Sequence, residues 1–302
     1  MPVTDEGAIV VGVDGSGSAV RAAVWAATEA YQRRLPLRLV HVYTVPRVVL
    51  PTVTGSLEQV REGMAERGRG WLEEAKVAVL QDRPGLTIDV AAREWNPVVA
   101  LIQESQRARM VVLGSHGLGG FTGLLVGSTA VSLVTHGHCP VIVVRGRKPA
   151  DPPPTEGPVI VGADGSPHSD AAVEFACEEA SLRGTGVTAV HTWSEVLADG
   201  TLRQNPLAVD PVTVDHEESG VLAEQLAGWQ EKYPNLAISR VVTRGRPVRT
   251  LLEYGERAQL IVVGSRGRGG FKGMLLGSTS QALVAHSPCT VAVVRPQAGE
   301  MR

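Results

Sequence analysis

The sequence predicts an α/β chain: two tandem copies of an open, five-stranded parallel-sheet sandwich with helices on both faces. Three observations predict it. The chain repeats itself at an offset of 150 residues: "IVVGVDGS" (Ile9–Ser16) returns as "VIVGADGS" (Val159–Ser166), and 20 of 36 positions agree between Met110–Arg145 and Leu260–Arg295. Two long copies mean a duplicated domain, since a solenoid needs several short repeats. Within each copy, short β-rich apolar runs alternate with stretches of helical spacing, the pattern of a parallel sheet covered by helices. Between the copies lies "RKPADPPPTEGP" (Arg147–Pro158), where five prolines in twelve residues make a stiff, extended connector.

Each element follows from local composition. "AIVVGV" is a short apolar run of the kind buried on both faces of a parallel sheet. "SAVRAAVWAATEAYQRR" follows with alanine-rich helical spacing, and its counterpart opens at Ser166–Pro167, a cap followed by a first-turn proline. A strand is expected at Leu37–Tyr43, then a long loop, a helix near Leu57–Gln81 and a strand at Leu86–Arg93. "NPVVALIQE" opens a helix at Asn96–Pro97, and "RPVRTLLEY" opens its counterpart at Arg246–Pro247. A strand "MVVLGS", a glycine-rich segment, a helix near Leu125–His136 and a strand "VIVVR" close the copy, giving five strands and four helices per half. The expected division is a first domain at 1–147, a linker at 148–157 and a second domain at 158–302.

Bulk composition sets limits on function. The 302 residues are 43% apolar and 20% charged with net charge −2, so no global basic field exists to hold nucleic acid or an anionic membrane. No run of 18 apolar residues predicts a membrane span. The first residues, "MPVTDEGAIVVGVDG", lack the basic and apolar regions of a signal peptide, and Cys139, Cys177 and Cys289 make no disulfide framework. A cytoplasmic location is expected on these grounds.

In an open parallel sheet, ligands bind beyond the carboxyl ends of the strands, where the strand order reverses. Asp14 and Asp164 directly follow the first strand of each copy, and Gly114 and Gly264 directly follow the fourth. From there run "GSHGLGGFTGLLVGST" (Gly114–Thr129) and "GSRGRGGFKGMLLGST" (Gly264–Thr279), with glycines at matching places. The shared frame is Gly114-x-x-Gly117, nine residues, Gly127-Ser128, and likewise Gly264-x-x-Gly267, nine residues, Gly277-Ser278. Glycines let backbone N–H groups approach an anion, and a "GST" ahead of a helix can offer N–H groups and hydroxyls to a phosphate. No Gly-Lys-Ser/Thr ends the segment, so it is not a Walker A loop, and Thr122 or Lys272 stands where a dinucleotide fingerprint needs its last glycine. Taken alone, such glycines serve equally well in turns and close packing, and Asp14 in "DGS" reads first as an Asx turn or cap.

The pattern G-x2-G-x9-G-(S/T) after a fourth strand, with "VGVDGS" opening the domain, resembles the universal stress protein family, and most of all its tandem, ATP-binding bacterial branch. The likeness covers nearly all of both halves. It implies strand order 3-2-1-4-5, a stress-response regulatory role, ATP as ligand with or without Mg2+, and self-association through the last strand of each copy. Carried over by position, it implies that Gly12 with Asp14, and Gly162 with Asp164, lie against the adenosine. Val42 and Thr192 meet the adenine through their backbones. Gly114, Ser115, His116, Gly117, Leu118, Gly119 and Gly120 wrap the ribose and phosphates. Gly264, Ser265, Arg266, Gly267, Arg268, Gly269 and Gly270 do so in the second copy. The phosphate tail falls to Gly127, Ser128 and Thr129, and to Gly277, Ser278, Thr279 and Ser280. The basic Arg266, Arg268 and Lys272 replace His116, Leu118 and Thr122, which predicts a stronger triphosphate preference in the second copy.

Other features carry less. "HGHC" (His136–Cys139) returns as "HSPC" (His286–Cys289), so only two potential ligands recur where a closed zinc site needs four. His136 and His286 are expected near helix C-termini, and Cys139 and Cys289 as buried residues before the last strands. His41 and His191 end the second strands, either beside the ligand or packed and hydrogen-bonded. The pairs Glu73–Glu74 and Glu178–Glu179 read as solvated helix faces. The loops Thr44–Ser56 and Ser194–Asp215 are either lids or plain surface. Three functions compete: a nucleotide-dependent regulator with at most weak hydrolysis, an adenine-nucleotide α-hydrolase-like enzyme that uses ATP to activate a substrate, and a dimerisation module with relic pockets. Neither a catalytic triad nor a two-carboxylate magnesium site stands out in the sequence.

Overall fold

A computed structural model of the chain describes residues 7–45, 56–117, 126–193, 211–268 and 275–296, the side chains of 211 and 212 excepted. The first half runs β1 (Ile9–Gly12), α1 (Gly17–Arg33), β2 (Leu37–Tyr43), α2 (Leu57–Asp82), β3 (Ile88–Glu94), α3 (Pro97–Glu104), β4 (Met110–Gly114), α4 (Ser128–His136) and β5 (Val141–Val144). The second runs β6 (Val159–Gly162), α5 (Pro167–Arg183), β7 (Val187–Trp193), α6 (Pro211–Leu226), α7 (Trp229–Lys232), β8 (Ile238–Arg244), α8 (Pro247–Gly255), β9 (Leu260–Gly264), α9 (Ser278–His286) and β10 (Thr290–Val294). Contacts cluster into two compact units, one of residues 1–145 with 149–152, the other of 146–148 with 153–302.

Within each half the strands are parallel in the order 3-2-1-4-5. β1 lies between β2 and β4, with Val11 opposite both Leu39 and Val112. The second half repeats this, with Val161 of β6 opposite Ala189 and Val262. The central strands are buried on both faces, as a sheet between helix layers requires: Ile9, Val11, Leu39, Val111, Val112 and Ile142 are all fully buried. Because strand 1 sits beside strand 4, the Asp14 turn and the start of the glycine segment leave the sheet side by side.

Helix starts follow from capping chemistry. Ser16 and Ser166 cap α1 and α5, each accepting an N–H three residues on, and Pro167 occupies the first turn. Asn96 caps α3 by accepting from Val98 and Val99, whereas Arg246, its counterpart, makes no side-chain cap to α8. Three expectations are corrected. The fourth helix starts at Ser128 rather than Leu125. Among the described residues the second half has five helices, because Gly228 adopts φ +85 and breaks α6 from α7 where the first half has Ala78 within the unbroken α2. Glu179 is not on a solvated face: it is fully buried and pairs at 3.1 Å with Arg183, one helical turn on. Glu29 and Arg33 repeat that buried pair in α1.

Among the described residues, no helix is long and apolar enough to cross a membrane. All three cysteines are buried, and burial pushes the Cys139 thiol up to about 12 and the Cys177 thiol to about 11, so neither is a ready thiolate.

Candidate functional site

A cavity of about 190 Å³ opens at the carboxyl end of the first sheet. Gly12, Val13 and Asp14 enter it from β1, and Val40 and Val42 from β2. Leu113, Gly114, His116 and Gly117 come from the end of β4, and Gly127, Thr129 and Ala130 from the start of α4. Pro97 and Leu101 of α3 complete an apolar wall, together with Ala19 of α1. The structure thus brings together eight of the residues singled out in the first copy: Gly12, Asp14, Val42, Gly114, His116, Gly117, Gly127 and Thr129. Ser115 is buried beneath them and Ser128 is exposed. Leu118, Gly119 and Gly120, with Gly269 and Gly270 in the second half, lie outside the described residues, as do Thr122 and Lys272 and most of the two long loops. Pro97 and Leu101 went unremarked as wall residues in the sequence. Their signal was the capped start of "NPVVALIQE", whose helix must pack on the sheet beside the crevice. A larger concavity of about 970 Å³ runs along α8 from Thr243 to Tyr254, but neither an Asp turn nor a glycine segment lines it.

The aspartates build the turn at the mouth of the site. Asp14 Oδ1 accepts from Ser16 N (3.0 Å) and Ser16 Oγ (2.7 Å), an Asx turn that aims the capping serine at α1. The Ser16 hydroxyl also lies 3.2 Å from the His116 carbonyl, so its single proton is shared mainly with Asp14 and weakly with the glycine segment. Asp164 repeats the turn through Ser166, and its Oδ2 accepts the Arg268 N–H at 2.8 Å. Burial by itself would raise the Asp164 pKa, but hydrogen bonds from Ser166, Arg268 and Ser169 outweigh it and hold the carboxyl below its ordinary value. A Cβ at Gly117 would stand 2.5 Å from Asp14 Oδ2, and one at Gly267 would meet Asp164 Oδ2 in the same way. Both carboxylates are therefore pressed against glycine backbone.

The remaining glycines divide by what surrounds them. A Cβ at Gly114 would stand 2.7 Å from the Ser18 backbone, and one at Gly264 would stand 2.6 Å from the His168 carbonyl, so both are needed for close packing of strand on helix. Gly127 differs. Its φ of −65 suits any residue, and among the described residues no atom beyond its chain neighbours lies within 4 Å of a Cβ placed on it. It is the N-cap of α4 and supplies no side-chain cap, as Gly277 supplies none to α9. Gly127, Thr129 and Ala130 line the cavity, so α4 starts at its mouth with no side-chain cap from its N-cap residue.

Charge around the two glycine segments differs. His116 Nδ1 lies 2.9 Å from Ser115 Oγ, and its pKa is lowered first by burial and then by the positive charges of Arg145 and Arg21. In the second half, Arg266 Nε donates to His168 Nε2 at 3.1 Å, so that nitrogen is a lone-pair acceptor. Burial, then Arg266 and Arg295, lower the His168 pKa, with Asp164 opposing. Burial and Arg266 lower that of Arg295 as well. The sequence reading set Arg268 among the phosphate contacts. Here its guanidinium lies 3.6 Å from Glu218 Oε2 of α6, while its backbone N–H is the group that meets Asp164.

His41 and His191 are packed and hydrogen-bonded. His41 Nδ1 meets the Val13 carbonyl at 2.7 Å and His191 Nδ1 the Ala163 carbonyl at 2.6 Å. Side chains alternate along a strand, so His41 faces α2 while Val40 and Val42 face the cavity. His136 and His286 end α4 and α9, and Cys139 and Cys289 are buried just before β5 and β10. Among the described residues, no three His, Cys, Asp or Glu side chains gather as a metal-binding group.

The sequence profile of the universal stress protein family matches residues 7–145 and again 157–295. The chain is 42% identical over 291 residues to a universal stress protein of Mycobacterium tuberculosis, an alignment covering 95% of this chain and 96% of the relative. It is 40% identical over 294 residues to one of Mycolicibacterium smegmatis, covering 96% and 97%. Among solved structures, a universal stress protein from Archaeoglobus fulgidus superposes with TM-score 0.68 at 21% identity over 97% of each chain, a likeness of fold. The twofold match, one per half and each framed by an Asp turn and a glycine segment, makes this chain a tandem member of the universal stress protein family.

Proposed function

We propose that the chain is a stress-response regulator that binds one adenine nucleotide, ATP, in each half. Gly127 carries the reading. Neither its backbone angles nor any neighbour among the described residues requires it, yet it stands on the cavity mouth at the N-terminus of α4, to which it gives no side-chain cap. A glycine so placed leaves room for a ligand atom, and an anion is what the exposed N–H groups and the helix dipole favour there. The apolar side chains of Val40, Val42, Pro97, Leu101 and Leu113 line the cavity and suit a purine ring. Gly277 repeats the arrangement at α9, its nearest neighbour an ordinary 3.4 Å away.

In this reading Asp14 and Asp164 keep one oxygen in the Asx turn and present the other to the ribose as the glycine segment adjusts. His116 and Arg266 border the phosphate end. Nucleotide state then sets the conformation of the glycine segments, and with it a partner surface or self-association through β5 and β10. Any Mg2+ would be held chiefly by the phosphates and water, since each turn offers a single carboxylate. Hydrolysis is at most weak. Mass spectrometry of gently purified protein, followed by calorimetric titration with ATP, tests the proposal. Two equivalents of bound adenine nucleotide per chain are expected. A chain that neither co-purifies with nucleotide nor binds added ATP overturns it, and stoichiometric pyrophosphate release would instead support the α-hydrolase-like enzyme.

A further inference from the structure

Three positions differ between the halves in a correlated way. Gly68, Trp71 and Leu118 of the first half correspond at the 150-residue offset to Glu218, Val221 and Arg268 of the second. In the first half, Trp71 of α2 covers the Asp-Gly-Ser turn: a Cβ on Gly15 would collide with its indole ring. Trp71 packs edge-on against His41 at 5.2 Å, so among the described residues this roof is formed by α2. In the second half the same space above Gly165 is filled by the Arg268 guanidinium and by Val221 at 3.0 Å. There the roof belongs in part to the glycine segment itself.

Arg268 is fixed at two points. Its backbone N–H donates to Asp164 Oδ2 at 2.8 Å, and its guanidinium lies 3.6 Å from Glu218 Oε2. Glu218 Oε2 is also 2.8 Å from Nε2 of His191, whose other nitrogen meets the Ala163 carbonyl at 2.6 Å. An unbroken polar path therefore leads from the glycine segment through Arg268 and Glu218 of α6 to buried His191 on β7, and back to the residue before Asp164. The first half lacks the middle of this path, because Gly68 has no side chain and its Cβ direction points straight at the His41 ring.

We propose that Arg268 is a positioning residue: held by Glu218, it ties the second glycine segment to α6, so that ligand occupancy in the second half is felt at α6. The first half has Leu118 and Gly68 at these two places, which cannot form the same ion pair. The coupling to a ligand rests on the proposed nucleotide site, whereas the tie itself belongs to the ligand-free protein. The two halves then differ in output.

Hydrogen exchange read by mass spectrometry on the full chain tests this. Without nucleotide, Glu218→Gln and Arg268→Gln are each expected to speed exchange in peptides spanning Leu260–Arg268 by about two- to fivefold, the size of effect a partly exposed ion pair carries. The double variant should be no faster than either single one, since both remove the same contact. Arg268→Lys should keep most of the protection, which a purely steric role for the side chain would not predict. With saturating ATP, wild-type protection should spread into 211–226 but not into 57–82, and Glu218→Gln should abolish the spread. Unchanged ligand-free exchange in both single variants, or rates that multiply in the double variant, overturns the tie. If calorimetry shows ATP bound at both sites while 211–226 stays unchanged in wild type, the coupling is overturned. Absence of any ATP binding would refute the nucleotide reading alone, leaving the ligand-free comparison to decide the tie.

Discussion

Asp14 and Gly117 stand so close that a Cβ on Gly117 would lie 2.5 Å from Asp14 Oδ2. The carboxylate is already turned by Ser16, so it has little freedom to retreat. Gly117→Ala should therefore displace either Asp14 or the glycine segment, and the first site should lose its ligand. Calorimetric stoichiometry for ATP is expected to fall from two to one in Gly117→Ala and in Asp14→Ala, with the second site intact. Retention of two sites in both variants would separate the Asp turn from ligand binding.

Gly127 offers the opposite case. Among the described residues a Cβ there meets no atom beyond its chain neighbours within 4 Å, and its φ of −65 is open to any residue. Gly127→Ala should change folding stability by less than about 1 kcal/mol, the entropic gain of alanine being offset by a poorer N-cap. Nucleotide affinity at the first site should nonetheless fall by at least about tenfold, or about 1.4 kcal/mol, because the methyl group occupies ligand space. Thermal unfolding and titration on the same variant separate the two effects. Unaltered affinity would remove the principal support for an anion at α4.

The two-domain division and the matching Asp and glycine positions were legible because duplication lets the sequence be compared with itself, whereas the strand order came from the family resemblance. Gly114 and Gly264, held fixed in both copies, are close-packing positions. What was not legible lay in side-chain direction. Nothing local in "GRGG" says whether Arg268 turns toward a phosphate or toward α6. That depends on Glu218, 50 residues away and absent from the matching place in the first copy. Glu179 was misread for a related reason: an acidic pair on a helix looks solvated until the sheet beneath and Arg183 are in place. The break between α6 and α7 hung on one glycine, Gly228, whose left-handed conformation local pattern does not dictate.

His116 and His168 set a pH dependence with a defined sign. Burial first, and neighbouring arginines second, lower both from the ordinary value of 6.5. Between the folded and unfolded pKa values the unfolded chain binds more protons, so this contribution is present above about pH 6.5 and is lost as pH falls through the lowered values. Urea midpoints measured from pH 7.5 to 5 should decline, and His116→Gln with His168→Gln should flatten the decline. Asp164 does not confuse the window, because its lowered pKa starts from 3.8 and its contribution is lost only at more acid pH. A slope unaffected by the double replacement would show that other groups take up the protons.

Gly15 and Gly165 have nearly the same backbone, with φ +87 and +74, so alanine brings each a similar left-handed strain of about 1–3 kcal/mol. Their roofs differ. Gly15 lies under the Trp71 indole, a rigid ring anchored in α2 and packed against buried His41. Gly165 lies chiefly under the end of the Arg268 side chain, which can rotate away at the expense of its 3.6 Å pairing with Glu218. Gly15→Ala should therefore be the more destabilising by about 1–3 kcal/mol of overpacking, read as a lower urea midpoint. It should also shift Trp71 fluorescence, which Gly165→Ala should leave unchanged. In turn, Gly165→Ala should loosen exchange in Leu260–Arg268 as Glu218→Gln does, because both free Arg268 from the same place. Equal destabilisation by the two alanines, with no change in Trp71 emission, would mean that the two roofs are mechanically equivalent despite their different origins.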